Sequence, residues 1–182
     1  MFPSTTQLVA LGATPANADK YGDHIADSCI HYHLTTVDRL APFLGNVYHE
    51  SLRLALAREL WGPTKQQGRY EGRRDMGNTR PGDGFRYRGR GLIQVTFHNN
   101  YRDMRDHLRE SVEGVPDFVI VPERLELPKW AAWSAAAFWD MHNLNALADK
   151  HEEESIARRI NGGVNGLAER LALAQRARKV LA

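Results

Sequence analysis

From Leu40 onward the chain reads LAPFLGNVYHE, and Leu40, Phe43, Leu44, Val47 and Tyr48 recur at the three- and four-residue spacing of one helix face. Thr35, followed three residues later by Asp38, resembles a capping box with Asp in place of Glu or Gln, so a helix is expected to begin there. Pro42 marks a kink in it or a start nearer Ala41. Continued by three and by seven, the apolar stripe lands on Glu50. A carboxylate thus occupies a position where the period calls for a core residue. It is expected to lose hydration there, which favours the protonated form that a general acid needs. The same reading predicts a short helix that starts near Ser4 to Thr6 and stops at Gly12 and Pro15, and a second over roughly Asp23 to His33. Pro128 opens a helix with Trp130, Trp133, Ala137, Phe138 and Met141 as its core stripe. Asn161, Gly162 and Gly163 break the chain before a last amphipathic helix. That helix carries Leu167, Leu171 and Ala174 inward and a basic face to solvent, with Arg170 placed to lean toward the core and meet a carboxylate.

A different pattern runs from Phe85 to Tyr101, FRYRGRGLIQVTFHNNY. Gly89 and Gly91 bracket Arg90 and permit a tight bend or a close backbone approach to a ligand. The β-leaning run Leu92 to Phe97 then alternates, with Leu92, Gln94 and Thr96 on one face and Ile93, Val95 and Phe97 on the other. Asn99, Asn100 and Tyr101 add amides and a phenol. Amide, hydroxyl and aromatic groups side by side suit an amino sugar. A glycine-kinked hairpin without a ligand fits the same residues. Arg88 to Gly91 also resembles the start of an RNA-recognition strand, but the stacking aromatics of that motif would fall at Arg90 and Leu92.

Composition narrows the class. The 182 residues, 42% hydrophobic and 25% charged, suit one globular domain with its own core, and residues 1–182 read as a single domain without a separate binding module. The formal charge is +2 and the sequence pI about 8.8, with Arg170, Arg176, Arg178 and Lys179 clustered near the end. That mild basic tilt attracts any anionic polymer. Cys29 stands alone, which excludes an intrachain disulfide and fits a reducing compartment. There is no basic segment ahead of the first apolar stretch and no apolar run long enough to span a bilayer, so neither a secretion signal nor membrane insertion is expected.

The titratable residues exclude some chemistries. His49-Glu50 resembles the zinc-protease helix, but the second histidine would fall at Arg53. His31 and His33, two apart, point to different sides of a helix. No metal and no cofactor are expected. Glycoside hydrolysis needs a second carboxylate, and Glu59 lies nine residues beyond Glu50. On an unbroken helix that is a rise of about 13.5 Å to the opposite face. Inverting enzymes hold their carboxyls about 6.5 to 9.5 Å apart, so the helix is expected to break between the two. Glu71 and Asp75 are alternative partners, although either could pair with Arg69, Arg73 or Arg74 instead.

TTVDRLAPFLGNVYHES, then RELWGPTKQQGRYEGRRDMGNTRPGDGFRYRGRGLIQVTFHNNY, then RRINGGVNGLAERLAL resemble, in order, the motifs of family 19 glycoside hydrolases, specifically the chitinase-like lysozymes of phage endolysins. The resemblance runs from about Thr35 to the C-terminus. It implies a mainly α (α+β) fold of the lysozyme-like superfamily, a helical domain with a small β-hairpin lobe. It also implies hydrolysis, with inversion, of β-1,4 bonds in peptidoglycan or chitin. By motif position Glu50 resembles the general acid, Glu59 the general base and Thr96 the hydroxyl that helps hold the attacking water. His49, Tyr87, Gln94, Asn100 and Asn161 fall among the substrate-binding positions, and Arg170 resembles the arginine behind the catalytic pair. The sequence departs twice from the pattern: Leu52 and Arg53 replace a Gly-Gly pair after HES, and Val164 and Asn165 stand where plant chitinases carry a glutamate. The expected partner is bacterial peptidoglycan, with no nucleic acid and no membrane insertion, for a monomer held in the host cytoplasm until a holin gives access to the wall. Chitin is the alternative substrate, and a non-catalytic glycan- or nucleic-acid-binding protein the alternative outside enzymes.

Overall fold

The computed structural model describes residues 3–182, and ten α-helices make up most of it. Helix α1, Thr5–Leu11, is capped by Ser4, whose side chain accepts from Gln7 while Gln7 returns a bond to the Ser4 backbone. Pro15, expected as a stop, is instead the first residue of α2, Pro15–His31, with Thr14 as its N-cap. A proline is tolerated at a first helical position because that N–H would have no partner in any case. Helix α3, Val37–Glu50, takes Thr36 as its cap and runs unbroken through Pro42. Then come α4, Lys65–Gly68, α5, Asp83–Arg86, and α6, His98–Arg109, followed by α7, Pro128–Met141. The chain ends on α8, Leu144–Ala148, α9, Glu153–Asn161, and α10, Leu167–Leu181.

The tightest helix pair is α3 against α10. At Gly45 a Cβ would lie 2.7 Å from the backbone nitrogen of Ala174 and 2.9 Å from the Arg170 carbonyl, so the two backbones touch only because no side chain stands between them. The inward face of α10 is Arg170, Leu173, Ala174, Ala177 and Leu181, while Leu167 and Leu171 are half-buried. On α7 the fully buried ring is Trp139, edge-on to Phe43, and Met141 is exposed. The expected basic face of α10 is only partly free: Arg178 bonds Asp38 on α3 and Glu153 on α9, and Arg176 donates to the Ala10 carbonyl at 2.5 Å.

The β lobe is reduced to two antiparallel bridges, Arg58 with Arg90 and Arg90 with Val95. Backbone donors in the β-leaning run are spent elsewhere. Gly91 N–H reaches Ala57, Leu92 N–H reaches the Ala131 carbonyl on α7, and Gln94 N–H turns back to Gly91. Gly91 and Gln94 both have positive φ, and Leu92, Ile93 and Val95 are all buried, so the expected two-face alternation is lost to a turn.

Candidate functional site

Glu50 closes α3, and the required break follows at once. Ser51 caps the helix end, its hydroxyl donating to Val47 O at 2.6 Å and accepting from Leu54 N–H at 2.9 Å. Leu52, Arg53 and Leu54 then take φ of 47°, 57° and 64°, three left-handed residues in succession without a glycine among them. Such residues carry an energetic penalty of about 1 kcal/mol or more each. The turn thus happens where the sequence pattern asked for Gly-Gly, and it returns Glu59 to the same cleft as Glu50.

That cleft has a volume of about 700 Å³. Glu50, Glu59, Gln94, Thr96 and Asn161 line it, together with Arg69, Tyr70 and Phe97 among others. Glu50 meets Arg170, whose side chain is 2% exposed against 19% for Glu50. The other arm of Arg170 donates to Asn46 Oδ1 at 3.0 Å, and the Asn46 amide donates to Pro42 O at 2.8 Å. The stripe position is therefore a compensated one: a guanidinium offsets both the charge and the unfavourable helix C-terminus beside it. Arg170 Nε is buried and has no partner among the described residues.

Glu59 is held by three donors. Its Oε1 accepts from Gln67 Nε2 at 3.0 Å and from the Tyr70 hydroxyl at 3.3 Å, and its Oε2 accepts from Gly89 N–H at 3.0 Å. The Glu59 N–H in turn donates to Gly89 O at 2.8 Å. A Cβ on Gly89 would come within 2.6 Å of Gln94 Oε1, so the close backbone approach expected of this glycine is directed at the cleft wall. Burial and then the charge of Glu59 push the Tyr70 phenol up to about 12, which keeps it a donor. Gln67 works in two directions, since its oxygen completes the Thr64 capping box while its nitrogen serves Glu59 and the Leu60 carbonyl. Neither Gln67 nor Tyr70 stands out in the sequence, where only the T-K-Q-Q spacing hints at a role. Buried Asn78 ties this segment down by donating to Tyr70 O and accepting from His98 N–H.

The other candidates divide. Thr96 donates its hydroxyl hydrogen to Gln94 O at 2.9 Å, and Gln94 donates to Gly91 O at 2.9 Å. Asn161 donates to Asn165 O at 3.2 Å across the α9–α10 break. His49, one position from Glu50 on the helix, faces α10 instead, with Nδ1 2.9 Å from Glu169 and its ring against Gly166. Tyr87 donates to Val119 O at 3.1 Å and lines a separate cavity of about 340 Å³. Exposed Asn100 turns back to donate to Thr96 O at 2.7 Å. None of these three is among the residues lining the cleft. Glu71 accepts from Gly82 and Gly84 N–H, and Asp75 pairs with Arg73, so the two alternative carboxylates are engaged outside it. His31 Nε2 lies 2.8 Å from Ser111, and no group of three His, Cys, Asp or Glu side chains among the described residues is placed to hold a metal ion.

The helical body thus brings two acidic side chains, Glu50 and Glu59, to one polar cleft. No family model matches the chain. Over 104 residues it is 39% identical to a glycosyl hydrolase family 19 domain-containing protein of Haemophilus influenzae. That match covers 57% of this chain and 47% of the relative, so the chain spans about half the length of the protein it resembles. In structure it is similar to chitinase C of Streptomyces griseus, with a TM-score of 0.72 at 19% identity over 98% of this chain and 92% of that one. A mutant of chitinase C aligns with a TM-score of 0.58 at 20% identity, over 98% of this chain and 68% of the other. Part of the chain is thus similar to a family 19 domain-containing protein, and its mostly helical fold is that of the solved chitinase.

Proposed function

We propose that this protein is a glycoside hydrolase that cleaves β-1,4 bonds in the glycan strands of bacterial peptidoglycan with inversion, in the manner of an endolysin. The observation that carries the reading is the meeting of Glu50 and Glu59 on one cleft, each held differently. In the step envisaged, protonated Glu50 gives its proton to the glycosidic oxygen as the bond from the anomeric carbon to that oxygen breaks, and the carboxylate left behind is the form that Arg170 pairs. Glu59 takes a proton from a water whose oxygen attacks the same carbon from the opposite face. Arg170 bonds Oε1 of Glu50, while Oε2 has no hydrogen-bond partner among the described residues and is free to face the sugar. Three donors fix the direction of the Glu59 carboxylate, which is what orienting a water requires. Because Thr96 already donates to Gln94 O, it offers the cleft lone pairs, suited to accept a hydrogen from that water.

Chitin remains the second substrate, since the solved neighbour is described as a chitinase. The test is release of reducing ends from purified peptidoglycan and from chitin, with mass spectrometry of the products and the anomeric form followed by NMR. Glu50→Gln is expected to lower the rate at least ~100-fold in a folded protein. Wild-type-like turnover by that variant would overturn the assignment, as would a product of retained configuration.

A further inference from the structure

The charges that line the cleft do not all balance within the protein. Glu50 is answered by Arg170, and Glu59 by neutral donors. Arg73, which lies 5.3 Å from the Phe97 ring centroid, is engaged through two bonds of 2.8 and 2.7 Å by Asp75. Arg69 is different. It caps the end of α4, one residue before the Tyr70 that bonds Glu59, and lines the cleft beside Gln66 and Arg73. Among the described residues its guanidinium has no hydrogen-bond acceptor and no acidic partner within 4.0 Å. An unpaired planar fork on the wall of a binding cleft is suited to a carboxylate, which it can grip through two parallel bonds. A plain N-acetylglucosamine polymer has no carboxylate to offer, whereas muramyl residues carry them on the lactyl group or its peptide.

We infer that Arg69 determines specificity by binding a carboxylate on the glycan's side substituent, so that the cleft selects an acidic amino-sugar polymer over a neutral one. This rests on the hydrolase reading proposed above. Its test compares wild type, Arg69→Gln and Arg69→Lys on native peptidoglycan and on the same material with its carboxyls converted to methylamides. Arg74→Gln, an exposed change outside the cleft, controls for general charge. On native strands Arg69→Gln is expected to lose roughly tenfold in kcat/KM, mostly through KM, with Arg69→Lys between it and wild type. On amidated strands wild type should fall to the level of Arg69→Gln, and the difference between the two should vanish. Stripping by an amidase removes the peptide carboxylates and frees the lactyl carboxylate, which is amide-linked in peptide-bearing strands. An Arg69 effect that disappears on stripping assigns the contact to a peptide carboxylate, and one that persists shows that the freed lactyl carboxylate also fills it. An Arg69→Gln protein equal to wild type on native strands, or equally impaired on native and amidated ones, overturns the inference while leaving the hydrolase reading intact. A wild type that cuts neither material overturns both.

Discussion

Gln67 sets two functions against each other at a single side chain. Its oxygen accepts from Thr64 N–H at 2.8 Å and its nitrogen holds Glu59, so Gln67→Ala removes a helix cap and a positioning bond together. A stability loss of about 0.5–2 kcal/mol in urea melts, with kcat down roughly tenfold or more, is the expected outcome. Tyr70→Phe removes only a hydroxyl and should lower kcat by a few-fold with the melt nearly unchanged; equal kcat would show that the phenol does not position Glu59. His142, its ring tilted against Phe138, is held below the usual histidine range by burial and then by Arg159. Because the unfolded chain binds that proton more readily, stability should decline as pH falls below about 6.5. His142→Asn should flatten that part of a plot of urea midpoint against pH. These residues mark the limit of sequence reading. Glu50 is legible because a period exposes it, and Arg170 because it sits beside an apolar stripe. Gln67, Tyr70 and Asn78 act through contacts across a turn, which no periodicity records.

At the scale of elements, the turn after Glu50 and the α3–α10 contact give opposite expectations for glycine. Leu52 is 60% exposed with φ of 47°, so Leu52→Gly should relieve strain and raise stability by up to about 1 kcal/mol, offset in part by the greater freedom of the unfolded chain. Thermal melts would register it as a small rise in midpoint. Gly45→Ala places a methyl against the backbone of α10 and should destabilise by about 1–3 kcal/mol. Activity should fall further than stability alone dictates, because the same contact sets where Arg170 meets Glu50. The helix starts at Ser4 and Pro128 follow from local chemistry and are readable. The β-leaning run is not, since Gly91 and Gln94 reverse the chain and α7 takes the Leu92 N–H. That is a tertiary override of a local preference. Likewise Trp139, not Met141, fills the core, because the neighbours of α7 decide which part of an apolar helix is covered.

Across the whole molecule, side chains far apart in sequence meet around the cleft, and α10 supplies the most distant of them. Arg170 comes to Glu50 across 120 positions, and Arg178 joins α10 to both α3 and α9. Removing everything after Gly166 should therefore abolish activity and expose the apolar face of α3 to dye binding. The order of synthesis gives this geometry a meaning in time. Both acidic residues of the cleft leave the ribosome early, yet Glu50 has no counter-charge until α10 has emerged and docked against Gly45. A chain still being translated carries both carboxylates without the guanidinium that pairs one of them, so the cleft is complete only once α10 has docked.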